Sequence, residues 1–348
     1  MTEAFGPPPD HQSGPADRPP LGVVIIGRNE GERLRKCLFS LAGRASWLVY
    51  VDSGSSDGSV AVAAEIGAHV VELDRSSPFT AARARNAGFA KLRELEPRLA
   101  LVQFVDGDCE VVADWLEKAT SQILDDPRLA VVCGRRRERY PTASIYNRLC
   151  DIEWNTPIGN ANACGGDALM RAGPLSEVGG YTPDLIAGEE PDLCLRLRQR
   201  GFRILRMDAE MTLHDANITR LSQWWTRSVR SGHAYADGFT RHRREPGRYC
   251  ARQVRSNLIW GAMVPALALG LLLPSSGWSS ILLFGYPALA LRILRSSHRR
   301  GLSVGESSLY ALFCVMGKFP SVYGQLRYWA RRLLGKRSTL IEYKHAGL

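Results

Sequence analysis

Short apolar runs alternate with helical patterns over the first third of the 348-residue chain, and this alternation limits the folds it can adopt. The apolar runs are rich in valine and isoleucine, as are strands that a parallel sheet buries on both faces. We predict strands at residues 21–26, 47–51, 69–73 and 101–105, with helices at 29–41, 60–66 and 81–92. Strands that alternate with helices in this way predict an α/β fold with a doubly wound sheet.

The pattern after residue 130 is less regular. We expect short strands and loops over 131–181, because arginine, glycine and proline interrupt the apolar residues there. Helical spacing of apolar residues returns at 191–201 and 222–236, which predicts two more helices. In sheets of this class, ligands bind at the carboxyl ends of the strands. The side chains predicted at those ends include Arg28, Asp52 and Asp106.

A long stretch without charge, residues 256–291, contrasts with the net charge of +10 for the whole chain. Arginines cluster on both sides of it, at 241–255 and at 292–300. Two apolar runs, 258–273 and 281–291, are separated by an uncharged turn. They predict a transmembrane helical hairpin with both outer ends in the cytoplasm. A helical hairpin buried in the protein core is the alternative interpretation.

The last part of the chain predicts a helix that lies on a membrane. Arg327, Arg331 and Arg332 share one of its faces. The opposite face is apolar and aromatic, with Phe319, Val322, Tyr323, Leu326, Trp329 and Leu333. Amphipathic helices with a basic face bind anionic membrane surfaces. The surplus positive charge therefore favours a membrane partner, and no nucleic-acid partner is needed to explain it.

The cysteines and the N-terminus bear on the cellular compartment. The eight cysteines are scattered and form no C-x-x-C pair, so we expect reduced thiols and no disulfide-stapled scaffold. The first 20 residues contain six prolines and lack the basic and apolar regions of a signal peptide. They predict a disordered leader and a catalytic part that begins in the cytoplasm.

Two aspartates at the end of the fourth predicted strand, Asp106 and Asp108, are candidate metal ligands. Gly107 between them allows a tight turn, and paired carboxylates hold Mg²⁺ or Mn²⁺ while leaving positions for substrate phosphates. An ordinary Asp-Gly-Asp turn is the alternative. His214 is either a further metal ligand or a buried core histidine.

Four other residues are candidates for substrate contacts or catalysis. Asp52 heads the loop after the second predicted strand, where it can accept hydrogen bonds from a base or ribose or form a turn. Arg85 lies near the start of a helix, where it can face a phosphate or water. Glu189 and Glu190 lie in the first turn of another helix. One of them is a candidate general base, although carboxylates there also stabilise the helix dipole.

Eight short motifs follow one another in an order that resembles the family 2 glycosyltransferases of GT-A fold. They are VVIIGRNE, VDSGSSDGS, ARARNAGF, FVDGDCE, CGGDALMR, VGGY, GEEPDLCLRLRQRG, and HDA with QWWTRSVRSGHAYA. The resemblance covers about residues 21–238. It implies a nucleotide-sugar donor, a divalent metal ion (Mn²⁺ or Mg²⁺) and transfer of the sugar with inversion at the anomeric carbon.

The resemblance also implies roles for individual residues. Contacts to the nucleotide-sugar are expected from Arg28, Glu30, Asp52, Arg85, Asp106, Arg227 and Arg230. The metal ligands are expected to be Asp106, Asp108 and His214. The acceptor side is expected at Gly165, Gly166 and Asp167. The catalytic base of the family usually comes from a Glu-Asp pair. Here the pair reads Glu189-Glu190, and its register against Asp192 favours Glu190.

We therefore predict four regions: a leader at 1–20, a GT-A domain at 21–240, a transmembrane hairpin at 241–300 and amphipathic membrane-surface helices at 301–348. The expected reaction moves a sugar, preferably UDP-linked because of Asp52, to a lipid-linked or other glycan acceptor in exopolysaccharide biosynthesis. The expected location is the inner, cytoplasmic membrane, with the catalytic domain facing the cytoplasm. A nucleotidyltransferase of similar fold and a non-catalytic membrane scaffold are the alternatives.

Overall fold

The centre of the molecule is a mixed β-sheet, seen in a computed structural model that describes residues 19–244 and 249–336. Its strands are β1 (Leu21–Gly27), β2 (Trp47–Asp52), β3 (His69–Glu72), β4 (Leu101–Asp106), β5 (Cys109–Val111), β6 (Leu129–Glu138), β7 (Gly159–Asn160), β8 (Ala168–Arg171) and β9 (Arg203–His214). The strand order is β3-β2-β1-β4-β8-β6-β9-β5, and β7 also pairs with β9. The first four strands are parallel, and their valine and isoleucine side chains are mostly buried.

Helices cover this sheet and continue beyond it. Those within the α/β part are α1 (Glu32–Leu41), α2 (Ser59–Glu65), α3 (Ala81–Leu95), α4 (Trp115–Asp125), α5 (Ile145–Trp154), α6 (Ala172–Glu177) and α7 (Glu189–Gln199). The long helix α8 (Leu221–Arg241) follows the last strand. Apolar side chains of the helices pack on the sheet in one continuous core.

The predicted strands at 21–26, 47–51, 69–73 and 101–105 are confirmed as β1 to β4, and a helix follows each of the first three. Two expectations need correction. The sheet is mixed, because β8 runs antiparallel to β4 and β6. The region after residue 130 also contains a ten-residue strand, β6, which pairs in parallel with the twelve-residue β9. Register shifts in this pair break the period-two pattern that would have indicated long strands.

The C-terminal part is a group of shorter helices. Helix α9 (Ala251–Leu258) passes through a π-helical turn (Ile259–Met263) into α10 (Val264–Gly270). A 3₁₀ turn (Trp278–Phe284) then leads into α11 (Gly285–His298), which α12 (Val304–Met316) and α13 (Lys318–Leu333) follow.

The structure does not support the transmembrane hairpin predicted at 241–300. Within the described residues, none of the helices has both the length and the apolar character needed to cross a bilayer. The physical reason is that the uncharged sequence is divided among short helical segments. Residues 1–18 of the predicted leader and residues 337–348 of the last predicted region lie outside the described residues.

Helix α13 differs from the free surface helix that its sequence predicts. One face packs against α8, and it buries Ser321, Gly324, Gln325 and Tyr328. Val322 of the predicted apolar face is buried as well, whereas Phe319, Tyr323, Leu326 and Leu333 are exposed. The last helix is therefore joined to the α/β part by a packed interface.

Candidate active site

A cavity of about 510 Å³ opens where the carboxyl ends of β1 and β4 meet helices α3, α7 and α8. This is the sheet edge at which sequence analysis placed the ligand. Ten of the predicted site residues line it: Arg28, Glu30, Arg85, Asp106, Asp108, Glu189, Glu190, His214, Arg227 and Arg230. The fold therefore brings together side chains that are up to 202 positions apart in the sequence.

A buried arginine joins the two acidic motifs across this cavity. The side chain of Arg85 is 3% exposed, and its Nη1 lies 3.0 Å from Oε1 of both Glu189 and Glu190. Its Nη2 lies 2.8 Å from Oδ1 of Asp106. Helix α3, which carries Arg85, follows the N-cap Thr80, whose hydroxyl accepts a hydrogen bond from the backbone N–H of Arg83. One guanidinium thus faces three carboxylates.

Asp106 has a second arginine partner that sequence analysis did not identify. Nη2 of Arg136 lies 3.2 Å from Oδ2 of Asp106 and 2.8 Å from Oδ2 of Asp167. Burial alone would raise the pKa of Asp106, but the positive charges of Arg85 and Arg136 outweigh it and lower that pKa. Both carboxylate oxygens of Asp106 are therefore ion-paired, and the group is ionised near neutral pH.

Asp108 and His214 form a separate pair at the end of β4 and β9. Their Oδ2 and Nε2 atoms are 3.2 Å apart, and both residues are buried. Burial alone would lower the pKa of His214, but the Asp108 carboxylate raises it above the usual value. The ring of Trp154 holds the imidazole in place through an edge contact with a centroid separation of 4.6 Å.

The side chains of Asp108, Cys109 and His214 are close enough to share a metal ion, since their ligand atoms lie within 4.8 Å of one another. Burial raises the pKa of the Cys109 thiol well above its usual value, so this group stays protonated and is a poor ligand for Mg²⁺ or Mn²⁺. A carboxylate and an imidazole remain, and this donor set fits a divalent cation that takes its other ligands from a diphosphate. Asp106 fits a direct ligand role less well, because arginines occupy both of its oxygens.

Glu190 has the properties of a general base. Burial, followed by the charge of Glu189, raises its pKa to about 7, although Arg85 acts in the opposite direction. A base with a pKa near the working pH is the most effective. The neighbouring Asp192 is held by Thr182, Arg196 and His242, which gives it a structural role.

Four predicted site residues do not line the cavity. Asp52 is buried, with 2% of the residue exposed. Its carboxylate accepts hydrogen bonds from the backbone N–H groups of Gly54 and Ser55, so it shapes the loop after β2. Asp167 accepts a hydrogen bond from the backbone N–H of Asp106 and another from Thr212. It therefore orients Asp106 from behind.

Gly165 and Gly166 lie in the loop before β8. A Cβ atom at Gly166 would lie 2.5 Å from Oδ2 of Asp106 and 2.7 Å from Nη2 of Arg85, so the ion pair needs a glycine there. At Gly165 a Cβ atom would meet open space. The structure thus gives Gly166 a reason to be glycine, and it gives none for Gly165.

The cavity wall includes aromatic and basic side chains that sequence analysis did not predict, among them Arg136 and Trp154. The guanidinium carbon of Arg136 lies 5.6 Å from the centroid of the Trp154 ring, which makes a cation–π contact. Arg136 stands in a run of three arginines at 135–137, which is typical of a solvated surface. The side chain of Arg136 is 14% exposed and that of the adjacent Arg137 is 53% exposed, and the register shifts of β6 keep this difference out of the sequence pattern.

Comparisons with known proteins indicate the class of protein. Residues 22–174 match the model of the glycosyl transferase family 2. A pre-mycofactocin glycosyltransferase of Mycobacterium tuberculosis is 26% identical over 316 residues, which cover 87% of this chain and 64% of the relative. The succinoglycan biosynthesis protein ExoA of Rhizobium meliloti is 24% identical over 274 residues, which cover 74% of this chain and 77% of the relative.

A solved structure shows the same fold. The mannosyltransferase PcManGT of Pyrobaculum calidifontis, in complex with GDP-Man and Mn²⁺, superposes with a TM-score of 0.59 at 17% identity. The alignment covers 92% of this chain and 90% of that one.

The family match and the relatives identify a glycosyltransferase domain, which confirms the predicted enzyme class, and the solved structure shows that its fold is GT-A. More particularly, residues 22–174, a little less than half of the chain, resemble the glycosyl transferase family 2 domain. The chain spans a little less than two thirds of the length of the mycobacterial relative.

Proposed function

We propose that the protein transfers a sugar from a nucleotide-sugar donor to a hydroxyl group of an acceptor, with inversion at the anomeric carbon. The observation that carries this proposal is the composition of the cavity. An ionised acidic motif and a carboxylate of near-neutral pKa lie on its walls, and Arg85 bridges them. Such a site can bind a diphosphate at one end and take up a proton at the other.

The donor end of the cavity stabilises the leaving group. When the bond between the anomeric carbon and the diphosphate oxygen breaks, negative charge develops on the departing nucleoside diphosphate. Arg28, Arg227 and Arg230 line the cavity and supply positive charge that is already in place. The ion pair of Arg227 with Glu153 at 2.7 Å restrains one of these side chains before the donor binds.

The acceptor end activates the hydroxyl group. Glu190 accepts the proton as the acceptor oxygen attacks the anomeric carbon from the face opposite the leaving group. Arg85 holds Glu190 in place through the 3.0 Å contact. A single displacement of this kind inverts the configuration, and the protein forms no covalent bond to the sugar.

We further propose that the reaction depends on a divalent cation held by Asp108 and His214. When bound, Mn²⁺ or Mg²⁺ would offset the charge of the diphosphate. The support is the convergence of the two donor groups and the Mn²⁺ reported in the complex of the mannosyltransferase PcManGT.

The acceptor that we propose is a lipid-linked glycan at the cytoplasmic face of the inner membrane, in a pathway of exopolysaccharide synthesis. The support is the similarity to ExoA, a succinoglycan biosynthesis protein, together with the apolar surface of the C-terminal helices. The carboxylate of Asp52 accepts hydrogen bonds within its own loop, so it gives no reason to prefer UDP-linked over GDP-linked donors.

A donor screen tests the proposed reaction. The purified protein is incubated with UDP-linked and GDP-linked sugars, with and without Mn²⁺ or Mg²⁺, and the released product is identified. Release of a nucleoside diphosphate supports sugar transfer, whereas release of pyrophosphate would indicate nucleotidyl transfer. Nucleotide binding without turnover of any donor would indicate a non-catalytic scaffold.

The metal proposal has its own test. We expect Asp108→Ala to abolish the stimulation by Mn²⁺ and to weaken Mn²⁺ binding in a calorimetric titration. Asp208→Ala is the matched control, since Asp208 is exposed on the same sheet and does not line the cavity. Equal metal stimulation of Asp108→Ala and wild type would rule out this metal site.

A further inference from the structure

The helical hairpin between α9 and α11 exposes an unusual amount of apolar surface. Its outer part, which we call the hairpin tip (residues 267–284), has several large side chains that face solvent. The exposed fractions are 71% for Leu269, 89% for Leu273, 76% for Trp278, 60% for Ile281 and 73% for Phe284. Contiguous exposed apolar surface of this kind marks an interaction site.

The two arms of the hairpin are held together and have a defined length. The hydroxyl of Ser279 donates a hydrogen bond to the carbonyl of Ala268, and that of Tyr286 donates one to the carbonyl of Trp260. From Trp260 to Gly270 the helical rise amounts to about 15 Å, at ~1.5 Å per residue. This is about half of the ~30 Å hydrocarbon thickness of a bilayer, or one leaflet.

An aromatic layer marks the inner end of this apolar length. The rings of Trp260 and Tyr286 are 5.6 Å apart, and those of Tyr286 and Phe319 are 6.0 Å apart. Tryptophan and tyrosine concentrate at the level of lipid headgroups, because their rings are both apolar and polar. The layer therefore lies where a headgroup region would meet the hairpin.

Exposed basic side chains follow directly behind the aromatic layer. They lie on both arms, at Arg252, Arg255, Arg292, Arg295, Arg299 and Arg300. From the tip along both arms, the exposed side chains are thus first apolar, then aromatic and then basic. This order matches the hydrocarbon, interface and phosphate zones of one anionic leaflet, and a protein partner would have no reason to require it.

We propose that the hairpin tip inserts into a single leaflet of an anionic membrane, with the aromatic layer at the interface and the arginines at the lipid phosphates. The inference rests on the proposed function only in that the leaflet then presents the acceptor. Insertion itself requires neither donor nor catalysis.

Backbone contacts connect this membrane anchor to the active site. A Cβ atom at Gly261 in the hairpin would lie 2.4 Å from the carbonyl oxygen of Lys318 in α13. A Cβ atom at Gly324 in α13 would lie 2.1 Å from the carbonyl oxygen of Val229 in α8. Helix α8 supplies Arg227 and Arg230 to the cavity, so insertion of the tip holds the cavity at a fixed distance from the lipid surface.

Vesicle sedimentation without any substrate tests the insertion. We expect the full chain to bind vesicles that contain phosphatidylglycerol and to bind pure phosphatidylcholine much less. The triple variant Leu273→Ser, Trp278→Ser and Phe284→Ser should bind about a thousandfold more weakly, since each large apolar side chain contributes about tenfold or more. The matched control replaces three exposed apolar residues of the α/β part: Phe39→Ser, Leu124→Ser and Ile158→Ser. Equal losses in both triple variants would overturn the proposal.

The role of the arginines is tested separately. Arg252→Gln and Arg295→Gln should each weaken binding to anionic vesicles about fivefold and leave binding to neutral vesicles unchanged. Arg44→Gln, an exposed arginine far along the sequence from the hairpin, is the control. Donor hydrolysis in vesicle-free solution should be unchanged in all these variants. If the wild-type protein hydrolyses no donor, the proposed function is overturned. If it binds no vesicles, only the proposed membrane anchor is overturned.

Brominated lipids test whether the hairpin tip reaches the acyl chains, and sedimentation equilibrium tests whether it binds a second copy instead. Lipids brominated within the acyl chains should quench part of the tryptophan fluorescence, and Trp278→Phe should remove most of that quenched part. Quenching unaffected by this substitution would contradict insertion of the tip. A stable dimer in sedimentation equilibrium that the triple tip variant abolishes, together with absent vesicle binding, would show that the tip binds a second copy.

Discussion

Glu190 shares one buried arginine with two other carboxylates, so Arg85 offsets only part of the effects that raise its pKa. Arg85 lies within 3.0 Å of Glu189, Glu190 and Asp106. Asp106 has Arg136 as a second positive partner, so the excess negative charge falls on the two glutamates. The pKa of Glu190 rises to about 7, first because of burial and then because of Glu189. The contacts that position Glu190, the proposed base, therefore also affect its pKa.

We expect the rate to follow the ionisation of Glu190. A base must be deprotonated, so with a pKa of about 7 the value of kcat/KM should rise about tenfold between pH 6 and pH 8 and then level off. Glu190→Gln should lower kcat by about 10²–10⁴ and abolish this rise. Pre-steady-state and steady-state rates across this pH range provide the measurement. If Glu189→Gln removes the rise and Glu190→Gln retains it, Glu189 is the base.

Arg136 should be important for stability as well as for the donor site. Arg136→Met leaves Asp106 and the fully buried Asp167 without this positive partner, and it should lower the free energy of unfolding by about 3–5 kcal/mol. Urea denaturation measures the loss. The adjacent Arg137→Met is the control, because Arg137 is 53% exposed and its ion pair with Glu210 is worth at most about 1 kcal/mol. Similar losses in both variants would contradict this account.

At the scale of elements, the crossing of α8 and α13 depends on the absence of side chains. A Cβ atom at Gly232 would lie 2.0 Å from the carbonyl oxygen of Ser321, and one at Gly324 would lie 2.1 Å from that of Val229. These distances are far below van der Waals contact, so the two backbones approach each other directly. The sequence pattern of α13 shows its amphipathic character, but it does not show which face another helix covers.

A methyl group at this crossing should be costly. Gly324→Ala should force the helices apart and lower the free energy of unfolding by about 1–3 kcal/mol, as overpacking does. Gly305→Ala in α12 is the matched control, because its Cβ atom would meet open space. Chemical denaturation of both variants tests the contact. A Gly324→Ala variant as stable as Gly305→Ala would show that the helices are less closely packed.

The elements show where sequence analysis succeeds and why it stops. Strands β1 to β4 follow from short apolar runs, and the positions of Asp108 and Glu190 at the cavity follow from the order of the motifs. Arg136, the second arginine partner of Asp106, was not predicted, since it comes from a strand whose register shifts hide its alternation. The transmembrane hairpin was predicted from composition, and composition does not show how an uncharged segment divides into helices.

At the scale of the whole molecule, an aromatic cluster joins the C-terminal helices to the α/β part. Phe313 of α12 makes edge contacts with Trp224 of α8 and Tyr146 of α5, with centroid separations of 5.0 and 5.8 Å. An ion pair between Arg148 and Glu306 lies beside this cluster. The α/β part and the C-terminal helices should therefore unfold together.

Phe313→Ala tests whether the α/β part and the C-terminal helices unfold as one cooperative unit. The side chain is 8% exposed, and its removal should lower the free energy of unfolding by about 3–5 kcal/mol. Leu312→Ala is the control, since Leu312 is 53% exposed and should change stability little. Unfolding is followed by far-UV circular dichroism and by tryptophan fluorescence. Two separate transitions in the wild type would contradict a single cooperative unit.

The exposed hairpin tip has a practical consequence for colloidal behaviour in the absence of lipid. At neutral pH the charge of +10 keeps molecules apart while ionic strength is low. At 0.15 M salt the Debye length falls to about 8 Å, so this repulsion is screened while the attraction between apolar surfaces remains. Precipitation should therefore begin when salt is added, and a mild detergent that covers Leu273 and Trp278 should prevent it.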